Sequence, residues 1–356
     1  MSEKTENRKD VEVRFWPAPV EPELAPGTQK GVFMRRLAKL GALVGATVLV
    51  AIPAQAQLNG AHALGDFGVL AGTQPQPGFY ATLFYYRYPT DTIRDADGDK
   101  IGPQPDAPGS VTINSYAPLV YYVSKAKVLG ANYGALAVLP WVNGSLEAPA
   151  FDLSETSSTS FSDTVIRPID LGWHLTKADV TAGFQFYAPT GTYELGGTGN
   201  TGKGMWTYEP YFGTTVYFDE KKTVSLATTA FWELHGKKKD TDIEVGQILS
   251  LEGGIGKSFL GGGLVIGAAY YAQWKLTTDK LGSFVLPGGG TVEPELVNKH
   301  RVFALGPDVT LPVATKTKLF ALVNLRYLWE AGARSKTEGS TFIVTATFPI
   351  PSVKLQ

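Results

Sequence analysis

The chain has 356 residues, a formal net charge of −1, 18% charged and 12% aromatic residues, 40 glycines and no cysteine. The lack of cysteine excludes a disulfide scaffold, a thiolate metal site and a cysteine nucleophile. The near-neutral balance provides no general field toward nucleic acid or anionic lipid, and the low charge with abundant glycine and aromatics fits a cell-surface or secreted β protein.

In chain order, residues 1–33 are polar and proline-bearing and read as a disordered leader, with Met34 as a candidate true start. Arg35 and Arg36 form a positive n-region, 40–52 is an apolar run, and Ala54-Gln55-Ala56 supplies the small-x-small cleavage pattern. Residues 34–56 therefore read as a signal peptide, and the mature chain is expected to begin near Gln57. The apolar run is too short for a permanent helical span, and no later stretch is long enough for one. Residues 57–77 are glycine-rich with apolar points at Leu58, Leu64, Phe67, Val69 and Leu70. Two readings stand: a plug folded into a lumen from the periplasmic side, or a flexible periplasmic lead.

From Gly78 onward the period is two rather than 3.6. Val224, Leu226, Thr228, Ala230 and Trp232 form one strand face, and Ser225, Ala227, Thr229, Phe231 and Glu233 form the other. The second face is small, hydroxyl-bearing or amide-bearing with an occasional charge, which suits a lumen better than bulk water. Twelve strands are predicted at 78–89, 109–124, 127–143, 164–174, 178–189, 205–218, 223–235, 243–257, 263–278, 299–312, 317–331 and 339–350. Their connections alternate. Long ones are 90–108, 144–163, 190–204, 236–242 and 279–298, short ones are 125–126, 175–177, 219–222, 260–262 and 314–316, and 332–338 falls on the long side. Even strand count, sorted loops and the need to leave no open edge in lipid point to a closed up-and-down transmembrane β-barrel over 78–350, with short turns in the periplasm. Residues 351–356 form a C-terminal tail.

Aromatics gather where predicted strands meet loops: Tyr85, Tyr86 and Tyr88, Trp141, Trp206 and Tyr208, Trp274, and Trp329. They fit interfacial girdles. Glu209, Glu233, Lys275, Asp308, Arg326 and Glu252 lie on strands, where facing lipid would cost up to a few kcal/mol each, so they are expected to point inward. There they either form a network that stiffens the barrel or a constriction that orients a polar handle on a solute. Both signs occur, which speaks against a single-sign selectivity ring.

Other chemistry is weak. Gly197-x4-Gly202-Lys203 imitates a phosphate loop but continues with Gly204 and aromatic strand residues instead of Ser or Thr and a helix. The run Asp95-Ala96-Asp97-Gly98-Asp99 reads as a solvated acidic turn in preference to a calcium loop. His62, His174, His235 and His300 have no zinc-ligand spacing, and no serine–histidine constellation stands out. No metal, cofactor or catalytic residue is expected.

Several segments carry a resemblance. Residues 65–80 (GDFGVLAGTQPQPGFY), Asp170-Leu171-Gly172-Trp173-His174, Tyr187-Ala188-Pro189-Thr190-Gly191, 270–279 (YYAQWKLTTD) and 301–309 (RVFALGPDV) resemble outer-membrane transporters of the meta-pathway phenol-degradation family, over about 62–350. The resemblance implies an outer-membrane barrel that passes apolar or aromatic compounds, and it brings no catalytic residues. One departure is that Phe348 is followed by eight further residues in place of a terminal aromatic for the barrel assembly machinery, so that signal is internal or the tail hangs in the periplasm. The expectation is a passive bacterial outer-membrane channel, not an enzyme, with membrane lipid, the assembly machinery and a small apolar or aromatic solute as partners. A narrow diffusion pore for polar solutes and a structural or adhesive barrel are the alternatives.

Overall fold

The computed structural model describes residues 58–101, 109–149, 153–195, 197, 199–282, 284–285, 291–292, 295–296, 299–351 and 353–354. The expected leader (1–33) and signal peptide (34–56) lie outside the described residues. The main sheet contains β1 (Gly78–Thr90), β2 (Ser110–Val128), β3 (Ala131–Val138), β4 (Trp141–Ala148), β5 (Leu153–Phe161), β6 (Thr164–His174), β7 (Ala178–Ala188), β8 (Thr207–Tyr217), β9 (Val224–His235), β10 (Ile248–Phe259), β11 (Leu264–Lys275), β12 (Arg301–Ala314), β13 (Lys318–Arg334) and β14 (Ser340–Ile350). Each pairs antiparallel with its neighbours, and β1 closes the ring by pairing with both β2 and β14. Since β3 continues into β4 and β5 into β6, these strands make twelve staves of a closed antiparallel up-and-down barrel. Closure leaves no unpaired edge to meet lipid.

The two composite staves break at Leu139-Pro140 and Ser162-Asp163. Pro140 has no N–H to give to the ladder, while its carbonyl accepts from Ser162 N at 2.8 Å. The predicted long loop at 144–163 is therefore mostly a hairpin, β4–β5, paired from Trp141↔Phe161 to Ala148↔Leu153. The predicted turn at 125–126 lies instead at Leu129-Gly130, which both have positive φ (51° and 80°). A two-residue hairpin turn matched to strand twist needs that geometry, and glycine adopts it without penalty. Residues 243–247, expected in a strand, belong to the loop before β10. Of the C-terminal tail, Val353–Lys354 pairs with Lys318–Leu319.

Alternation sorts the faces. On β9, Ser225, Ala227, Thr229, Phe231 and Glu233 are buried in the lumen, while Leu226 and Trp232 are 44% and 43% exposed on the outside. The outward aromatics form a belt at the long-loop end: Tyr85 against Tyr116 (5.2 Å), Trp141 against Phe161 (5.2 Å), Trp206 stacked with Tyr208 (6.5 Å), Trp274 against Phe303 (5.6 Å) and Trp329 against Tyr327 (4.9 Å). Tyr86 departs from the expected girdle. It neighbours Tyr85 in a strand of period two, so it faces the lumen and lines the cavity described below. Tyr88 faces inward too, donating to Glu330 Oε2 at 2.7 Å.

Candidate functional site

Residues 58–77 occupy the lumen. Near the short-turn end, the Thr73 and Tyr217 hydroxyls lie 3.2 Å apart. At the long-loop end, Lys275 Nζ donates to the Leu58 carbonyl at 2.8 Å. The segment thus runs the height of the barrel along the wall formed by β8–β13.

It is held mainly through its backbone. Ala61 N and His62 N donate to Glu233 Oε2 (2.6 and 3.1 Å), Gly65 N and Phe67 N to the two oxygens of Glu252 (2.8 and 2.9 Å), and Val69 N to Asp308 Oδ2 (3.0 Å). Arg326 donates to the Asp66 carbonyl at 3.0 Å and pairs with Asp308 at 3.1 Å. A coil segment cannot satisfy its own amides, so carboxylates from neighbouring strands do so with charge-assisted bonds. The His62 ring bridges Glu209 (3.1 Å) and Glu252 (3.1 Å), one from each ring nitrogen. Only the imidazolium can donate at both positions.

Side chains complete the fit. Leu64 packs with Tyr271, Val302 and Leu328, and Leu58 packs against Met205, Val245 and Ile248. Phe67 lies 4.7 Å from Phe231, with the Arg167 guanidinium 5.6 Å over its ring. Leu70 remains exposed. Two glycines are required by close approach: a Cβ on Gly68 would stand 1.9 Å from Asp308 Oδ2, and one on Gly72 would stand 2.2 Å from the Thr214 backbone.

Glu209, Glu233, Lys275, Asp308 and Arg326 all face inward and are buried, as is Glu252. They are engaged by one another and by the N-terminal segment, and none lines the open part of the lumen. Sequence reasoning missed His62, Arg167, Gln185 and Asp170. Arg167 binds Gln185 Oε1 through two nitrogens (2.9 and 2.6 Å), and Asp170 accepts from Tyr211 at 2.6 Å. Arg167 and Asp170 are three apart, so strict alternation puts them on opposite faces. A register shift between Ile166 and Ile169, at Pro168, brings both inside.

The remaining lumen is a cavity of about 680 Å³ between this segment and the opposite wall. From β14 and β1–β3 its lining is uncharged and largely apolar or aromatic, including Phe84, Tyr86, Leu119, Leu136 and Val138. Its outer end is bounded by loop residues, among them Tyr193, Lys203 and Lys238. Among the described residues no cluster of metal-ligating side chains occurs. The Asp95 carboxylate of the acidic turn accepts from the amides of Asp97, Gly98 and Asp99.

The family described as "Putative MetA-pathway of phenol degradation" matches residues 90–346. The chain belongs to this family. Among solved structures it is similar to the COG4313 outer membrane channel from Pseudomonas putida F1 (TM-score 0.61, 12% identity, 81% of this chain and 99% of that one), which shows the barrel fold. It also matches, with a TM-score of 0.40, the transport unit of the autotransporter AIDA-I from Escherichia coli (9% identity, 81% of this chain and 92% of that one). No curated protein matches the chain.

Proposed function

We propose that this family member is a passive outer-membrane channel for small apolar or aromatic compounds, delivered to the outer membrane by the signal at 34–56. The observation that carries the reading is the uncharged, largely apolar cavity wall formed by β14 and β1–β3, beside a lumen whose strand charges on β8–β13 are already engaged. An apolar solute gains roughly 25 cal/mol per Å² on leaving water for such a surface, whereas a sugar would lose hydrogen bonds there. The family's description, which concerns phenol degradation, agrees. Residues 57–77 act in this reading as a plug that narrows the lumen and leaves the apolar side open. The barrel itself needs no cofactor for this role.

The test is uptake of a dilute labelled aromatic by cells bearing the chain in their outer membrane, beside swelling of proteoliposomes in sugars. Protein-dependent aromatic uptake with little sugar-driven swelling is expected. Rapid sugar permeation without aromatic uptake would overturn the reading.

A further inference from the structure

Two lysines at the outer end of the cavity are not used by the plug. Lys203 sits between Gly202 and Gly204 in the loop after β7, and Lys238 in the loop after β9; both line the cavity. Lys238 is 2% exposed, and its ammonium donates to the Lys203 carbonyl at 2.8 Å and stands 4.9 Å over the Tyr193 ring. Gly204, at φ 65°, underlies that ring so closely that a Cβ would come within 2.2 Å of it. The loop thereby holds the Lys238 ammonium at the cavity wall, with Lys203 beside it on the lining.

The nearby carboxylates are committed elsewhere. Asp163 accepts from Gly191 N (3.0 Å) and Lys203 N (2.6 Å), so its carboxylate is already engaged by these two amides. Glu233 is held by the amides of Ala61 and His62. Among the described residues, the Lys203 ammonium has no hydrogen-bond or ion-pair partner. Lys238 is buried and Lys203 partly buried, and two ammonium groups at one cavity wall whose facing carboxylates are already hydrogen-bonded are relieved by an anion.

We propose that Lys203 and Lys238 form a carboxylate subsite at the outer mouth, so that the channel takes aromatic carboxylates with the ring in the apolar cavity and the anionic head on the lysines. Two ammonium groups beside Asp163 suit a monoanion, because the other facing carboxylates, Glu233 and Asp279, are held by the amides of Ala61 and His62 and by Lys275. Burial and the neighbouring ammonium push Lys238 down to about 7, and burial also lowers Lys203. A bound carboxylate opposes both shifts.

The inference rests on the aromatic-uptake reading, so the experiment separates the two. The purified full chain in detergent is titrated calorimetrically with 4-ethylbenzoate and with the neutral 4-ethylbenzamide. The carboxylate should bind at least about tenfold tighter, the size of one charge-assisted contact. Lys203→Gln should remove that preference and Lys203→Arg should keep it, with amide binding unchanged in both as the control for folding. Equal binding of the two ligands by the unmodified chain, or a preference surviving in K203Q combined with K238M, overturns the subsite and leaves aromatic binding standing. Failure of both ligands to bind overturns the subsite and the aromatic reading together.

Discussion

Strands β8–β13 and strands β14 and β1–β3 obey the same alternation, and their outer faces are alike. Their inner faces differ. The first group carries Glu209, Glu233, Glu252, Lys275, Asp308 and Arg326 and grips residues 58–72; the second offers Thr82, Phe84, Tyr86, Leu119 and Leu136 to an open cavity. A wall that must hold a coil needs acceptors for its amides, while a wall that must let an apolar solute pass needs none. The lumen is therefore divided along its length into a binding side for the chain itself and a free side.

Removing residues 57–77 should erase that division and produce the largest effect, a several-fold rise in single-channel conductance, because a twelve-stave interior is narrow enough for such a segment to obstruct. An unchanged current would mean that the segment does not limit flow. His62→Ala should come next: it leaves Glu209 and Glu252 buried without their shared cation, at about 3–5 kcal/mol, enough to free the segment while the barrel persists. The readout is protease cleavage within 57–77 in detergent-folded protein, and continued resistance would show that the backbone bonds to Glu233 and Glu252 suffice. On the free side, Phe84→Trp should fill part of the cavity and slow aromatic uptake with little change in ion conductance. If uptake and conductance fell together, the two sides would not be separate. The outer mouth offers a pH test. Lys238 is faced by Lys203, Asp163, Asp279 and Lys275 and by the Tyr193 ring, and it is charged below about 7. Aromatic carboxylate binding should therefore weaken modestly as pH rises through 7, with amide binding flat; two flat profiles would remove Lys238 from the site.

Much of the barrel was legible. Period two from Gly78 onward determined which residues face lipid, the alternation of loop lengths determined the up-and-down order, and the cost of charge in lipid placed Glu209, Glu233, Lys275, Asp308 and Arg326 inside. Where the local rule breaks, the reading broke with it. The shift at Pro168 turned Arg167 and Asp170 to one face, and the kinked stave at Pro140 made a hairpin of an expected loop. Tyr86 shows the converse, since alternation itself sets it opposite Tyr85.

Alternation along the sequence is a property of neighbouring residues, and it settled inside against outside for almost every stave. What an inward group meets is decided across the barrel: Ala61 reaches Glu233 over 172 residues, Val69 reaches Asp308 over 239, and Lys238 settles on the carbonyl of Lys203. No local period encodes such partners, because they arise only when ring closure brings distant strands, the N-terminal segment and the outer loops around one enclosed space.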